Sequence, residues 1–169
     1  MSVLRKAVPG LSLALLCAAC GSTSLPTTTT TASLAGWTPQ ADTPGISQLA
    51  PDLSGLAVTG TTDRQALVRH GEAIRAATFT FAAEEDAREA EKRGAGDDYV
   101  RALADAFRAD AARKDGGVRL VVARPAEPGS DTVEVYLVRR GGTLTVAELV
   151  SARGFPPALR KQALAAVSR

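Results

Sequence analysis

The feature that most constrains this chain is a change of character near residue 55. Residues 21–54 carry neither a helical nor a strand period; residues 27–31 are five consecutive threonines, and Pro26, Pro39, Pro44 and Pro51 are spread through the rest. Such a segment buries too little apolar surface to offset the entropy of ordering it. It is expected to be a flexible tether, with a root-mean-square reach on the order of 30 Å for roughly thirty residues. Trp37, the one tryptophan, lies inside it and reads as an incidental aromatic, the alternative being a foothold on a membrane or on the domain. The fold is thereby confined to residues 55–169, a suitable length for one domain.

What precedes the tether bears on where the domain works. Arg5 and Lys6 form a positive region, residues 7–16 are apolar, and Ala18, Ala19, Cys20, Gly21 and Ser22 follow. The pattern resembles a bacterial lipoprotein signal, in which small residues fit the peptidase and the cysteine carries a diacylglyceryl group. Cys20 is the expected lipidation site. Three positions before the lipidated cysteine such signals usually have Leu, where this chain has Cys17; an ordinary secretory signal cut near Ala19 is the alternative. The apolar run falls short of the ~18 to 20 residues that span a bilayer. Cleavage after residue 19 removes Arg5, Lys6 and Cys17, leaving 18 basic residues, 18 acidic residues and one cysteine. That formal neutrality weakens any nucleic-acid reading based on bulk charge. With Cys20 lipidated no thiol remains for a disulfide, so the core alone must hold the fold. The expected location is the cell envelope, anchored to a membrane through Cys20.

Within the domain, residues 56–60, 66–70 and 73–81 are short apolar or β-branched runs separated by Thr61, Thr62 and Asp63 and by His70 and Gly71, the pattern of a three-stranded meander. His70, the one histidine, reads as a solvated turn residue, since no second His or Cys joins it to make a zinc site. Glu84 with Arg88 and Glu89 with Arg93, each four apart, predict a helix over residues 82–93. Asp97 can cap a second helix whose Tyr99, Leu103, Phe107 and Ala111 form an apolar stripe. Residues 118–123 and 132–138 read as strands, Thr145 and Glu148 as the capping box of a short helix ending at Gly154, and Pro156 and Pro157 as the start of a last helix. The expected order is three strands, helix, two strands, helix, helix.

That order resembles the thermonuclease family over residues 55–155. Val135, Tyr136 and Leu137, then Gly141 or Gly142, then Leu144, Val146, Glu148 and Gly154, look like the family's closing strand, glycine turn and following helix. Residues 79–84, leading through the Tyr99 helix to Gly117, Val118, Arg119 and Leu120, are the second matching part. The resemblance implies an α+β fold, a five-stranded OB-type β-barrel with helices inserted and appended. It also implies phosphodiester hydrolysis with Ca2+, by two metal-binding aspartates, a glutamate and two arginines that steady the charge on phosphorus. Carried over, it makes Asp63 a metal ligand and Arg75 and Glu84 catalytic. The departures are specific. Thr61, Thr62, Asp63 and Arg64 stand where the family has Asp-Gly-Asp-Thr; Phe81 replaces the second metal ligand ahead of Glu84; Asp131, Thr132, Val133 and Glu134 stand where the second arginine belongs. One Asp and one Glu supply few of the six to eight oxygens that calcium takes. The expectation is therefore an envelope lipoprotein whose domain is catalytically impaired, holds no cofactor and acts as a binding or structural module. An active calcium-dependent nuclease is the alternative.

Charge along the domain is bipolar. Residues 84–98 hold seven acids against three bases, and residues 139–169 hold six bases against one acid, Glu148. The simpler interpretation is two solvated faces. The functional one is a basic 139–169 region docking on an anionic partner, whether lipid headgroups, nucleic acid or an acidic protein; Phe155 within it and Tyr136 just before it are the only aromatics nearby that could stack on bases. The domain is expected to be a monomer.

Overall fold

The computed structural model describes residues 27–41, 44–124 and 129–169, with the backbone alone for residues 27–30. The expected signal and the expected lipidation site, Cys20, lie outside the described residues. Among the described residues eight strands and three α-helices follow one another: β1 Thr27–Thr30, β2 Thr38–Gln40, β3 Val58–Arg69, β4 Glu72–Phe81, α1 Glu84–Gly94, α2 Asp97–Phe107, β5 Ala111–Lys114, β6 Val118–Ala123, β7 Ser130–Arg140, β8 Thr143–Ser151 and α3 Pro157–Val167. The fold is α+β. The strands form one open sheet in the order β1-β3-β4-β8-β7-β6-β5, with β2 also alongside β3. All neighbours are antiparallel except β1 and β3. The ladder runs from β1 to β5 without closing, so the expected five-stranded barrel gives way to a wider open sheet.

Two local readings differ from the sequence expectation for identifiable reasons. Thr61, Thr62 and Asp63 do not break the chain but lie inside β3, paired with Phe79, Thr78 and Ala77. Threonine is β-branched and sits well in a pleated sheet, so two threonines are a weak breaker. A register shift between Arg64 and Leu67 absorbs the change of pattern that separated the expected strands. Thr145 and Glu148, expected to open a helix, belong instead to β8, which pairs with β4 on one side and β7 on the other. A short apolar run cannot be told from a buried helix by period alone. The two-residue turn at Gly141 and Gly142, with Gly141 at φ 53°, folds it back onto β7. His70 and Gly71, at φ 47° and 80°, make the matching turn between β3 and β4; two positive φ values in a two-residue loop suit the right-handed twist of the flanking strands.

Both faces of the sheet are covered, which is why its central strands are buried on alternate and intervening residues alike. Ala77, Phe79 and Phe81 of β4, Leu144 and Val146 of β8, and Val133 and Val135 of β7 pack in one core with Ala87 and Ala90 of α1 and Tyr99 and Leu103 of α2. Ile74, Ala76, Tyr136, Ala147 and Leu149 point the other way, into a second core with Phe155 and with Ala163 and Val167 of α3. The expected stripe on α2 is buried at Tyr99 and Leu103, while Phe107 is half-buried; Ala111, expected to continue it, lies beyond the end of the helix and is exposed at the start of β5.

The stretch expected to be a tether does not hang free over its described part. β1 pairs with Thr61 through Arg64, β2 pairs with Ala66 through Val68, and Ile46 and Leu49 belong to the first core. Trp37 is buried in the second, stacked on Phe155 with ring centroids 6.1 Å apart. Arg69 also lies over the indole, 4.8 Å from the ring centroid. Thr and Trp are good strand and core residues, and the domain offers an unpaired β3 edge for them to complete. Among the described residues no helix is long and apolar enough to cross a membrane.

Candidate functional site

Asp63, Arg75 and Glu84 lie on three different elements. Asp63 pairs in register with Ala77 and so shares the face of the first core. It sits under Gly45, where an added Cβ would come 2.5 Å from Asp63 Oδ2, and its Oδ1 is buried with no hydrogen bond among the described residues. Arg75 lies two residues before Ala77 on β4, on the same face, and its guanidinium is taken by Glu148: Nε and Nη2 donate to the two carboxylate oxygens, the second at 2.8 Å. Glu84 opens α1 and pairs with Arg139 at 3.1 Å and with Arg88 at 3.6 Å. Phe81 lies six residues beyond Arg75, roughly 20 Å along β4. Glu84 lies beyond that far end, so it and Arg75 do not face one cleft.

The residues present do not fit calcium. Two carboxylates at different levels of the sheet cannot gather the oxygens the ion requires, and among the described residues no group of three or more His, Cys, Asp or Glu could hold a metal. Phe81, which stands where the thermonuclease resemblance called for a second ligand, is a buried member of the first core. His70 is exposed at its turn.

Sequence reasoning missed the two strand-borne acids that the fold buries completely, Glu134 and Glu148. Glu134 faces the second core, where Arg160 of α3 grips it with Nε at 2.7 Å and Nη2 at 3.0 Å. Arg119 of β6 adds a contact at 3.0 Å and the Tyr136 hydroxyl donates at 2.9 Å. Arg160 Nη2 also donates to the Phe155 carbonyl at 3.0 Å, tying the start of α3 to the same point. Burial alone would push the Glu134 carboxyl up; hydrogen bonds from Arg160 and Tyr136 and the charges of Arg160 and Arg119 outweigh it and hold the carboxyl below its ordinary range. Burial, with the adjoining carboxylate, pushes the Tyr136 phenol up to about 12. The available signal was a lone Glu within an apolar strand run, as at Val133, Glu134, Val135 and at Ala147, Glu148, Leu149, which demands a buried cation partner.

The basic residues of 139–169 do not make one face. Arg139 is held by Glu84 and Glu91 and Arg160 by Glu134. Arg153 instead joins Arg69, His70 and Arg124, brought together from the β3–β4 turn, the end of β6 and the β8–α3 connection, around a hollow of about 650 Å³ at one end of the sheet. Arg69 pairs with Glu72 at 2.9 Å and Arg124 with Asp131 at 2.8 Å, so part of that charge is already balanced. A separate, mostly apolar cleft of about 260 Å³ lies between the α1–α2 junction and the β5–β6 turn. Set against known proteins, the chain matches no family model, no curated protein and no solved structure.

Proposed function

We propose that the protein is an envelope lipoprotein, anchored through Cys20, whose domain binds or scaffolds rather than hydrolyses phosphodiesters. The observation that carries this reading is the bidentate pair between Arg75 and the buried Glu148. A guanidinium engaged in this way is not free to steady charge on phosphorus, and releasing it would strand a buried carboxylate. The separation of Arg75 from Glu84 and the burial of Phe81 support the same conclusion. Seven residues lead from Cys20 to Thr27, so with β1 docked the domain stands no more than ~25 Å from its lipid. The hollow ringed by Arg69, His70, Arg124 and Arg153 is the surface best suited to an anionic partner.

The divergent nuclease is kept as a second reading by one observation, the buried Asp63 Oδ1 that has no hydrogen bond among the described residues. A fluorogenic nuclease assay with calcium separates the two: no cleavage of single-stranded DNA or RNA is expected, and activity that disappears in Glu84→Gln would establish the enzyme. The anchor is tested independently by membrane partitioning, with Cys20→Ser expected to release the protein.

A further inference from the structure

The cleft between the α1–α2 junction and the β5–β6 turn has the make-up of a small-ligand site. Its floor is core surface, Val118, Val135 and Leu137, and its walls are Gly94, Ala95 and Tyr99. A glycine lets the end of α1 come down onto the sheet, since a Cβ at Gly94 would collide with the Leu137 side chain. An apolar-lined opening of about 260 Å³ departs from the close packing of an ordinary interior, and suits a short apolar tail.

The polar groups at this cleft set the sign of the ligand. Glu91 is bonded to Arg139 at 2.8 Å, and the Tyr99 hydroxyl donates to the Leu49 carbonyl at 2.6 Å. Lys114 reaches across from β5 and donates to the Ala95 carbonyl. The one carboxylate within 4 Å of it among the described residues is that of Asp97, 3.9 Å away with a side chain 92% exposed. An ammonium has three protons to donate and a neutral carbonyl occupies one. We propose that this cleft binds a small amphipathic carboxylate, its tail on Val118, Val135 and Leu137 and its carboxylate on Lys114. The proposal rests on reading the domain as a binding module but not on the anchor, so its failure leaves the Cys20→Ser and nuclease experiments undisturbed.

The test is titration of the full chain with octanoate, octanol and octyltrimethylammonium, each below its self-association range, followed through the amide shifts of Gly94, Gly116 and Gly117. Octanoate should shift these amides saturably and bind about tenfold more tightly than octanol, the worth of one charge-assisted hydrogen bond, with the cation weakest. Ala95→Trp, on an exposed position at the rim, should abolish the saturable shifts while leaving the melting temperature unchanged. Lys114→Gln should bring octanoate and octanol to equal affinity. Absence of saturable shifts at these glycines, undiminished binding in Ala95→Trp, or a cation bound as tightly as octanoate would each overturn the proposal. Octanoate preferred as strongly by Lys114→Gln as by the parent would overturn the role given to the ammonium.

Discussion

The two faces of the sheet carry their helices by different means. On one, α1 and α2 are held mainly by apolar contact, through Ala87, Ala90, Tyr99 and Leu103 against Phe79, Phe81, Leu144 and Val146. On the other, α3 buries Ala163 and Val167 but is also locked to the sheet by the Arg160–Glu134 pair, beside Arg119 and Tyr136. An apolar contact loses stability by degrees when trimmed. A buried ion pair fails abruptly when one partner is removed, because the other charge is stranded. Position in the sequence therefore says less about sensitivity than whether a residue's contact is apolar or ionic.

The largest effect is expected at the charged lock. Arg160→Met should destabilise the protein by about 3 to 5 kcal/mol, as for any single break of a buried pair, with the rise in hydrogen exchange concentrated in α3. Adding Glu134→Gln should recover part of that loss; a double variant no better than the single one would mean that apolar contact, not charge, seats α3. The loss should also depend on pH. The folded Glu134 carboxyl lies below its ordinary range, so the pair's contribution is present above the unfolded carboxyl's value, near 4.5, and disappears as pH falls through the lower folded one. The gap between parent and Arg160→Met should narrow in that acid window alone.

On the apolar face, Leu103→Ala should cost about 2 to 5 kcal/mol and Phe107→Ala less than the ~3 to 5 kcal/mol of a fully buried phenylalanine, since Phe107 is only half-buried. Melting curves of the two variants would show it, and a greater loss at Phe107 would reverse the assignment of the α2 stripe. Trp37→Ala belongs in the same series. Its indole is buried against Phe155 and Arg69, and a loss approaching ~3 kcal/mol is expected, whereas a tether residue would cost nothing measurable.

The smallest effect is spectroscopic. The chain has two tyrosines, and both phenols are pushed up, Tyr99 by burial and Tyr136 to about 12 by burial and by Glu134. Neither should ionise near the ordinary value of 10 in an absorbance titration of the folded protein. Unfolded tyrosines ionise there, so stability tied to these groups is lost as pH rises from about 10 upward. A phenol titrating near 10 before unfolding would place that tyrosine in solvent.

Local chemistry was enough to place α1, α2, α3, β6 and β7, because four-residue charge spacing, apolar stripes, proline starts and glycine stops act within one or two turns of chain. It also put His70 in a turn. The sheet was another matter. Whether Thr61, Thr62 and Asp63 interrupt a strand, whether residues 143–151 coil or extend, and whether the threonine tract hangs free were all decided by partners far along the chain: β4 for β3, β4 and β7 for β8, and the β3 edge for β1. Strand pairing is non-local, and an apolar run of nine residues suits either state until a neighbour supplies its hydrogen bonds. The site followed the same rule. Residue types alone made Arg75 and Glu84 plausible partners, but only the tertiary structure could give Arg75 to Glu148 and set Glu84 beyond the far end of β4, since a charge is spent on whichever opposite charge the fold buries beside it.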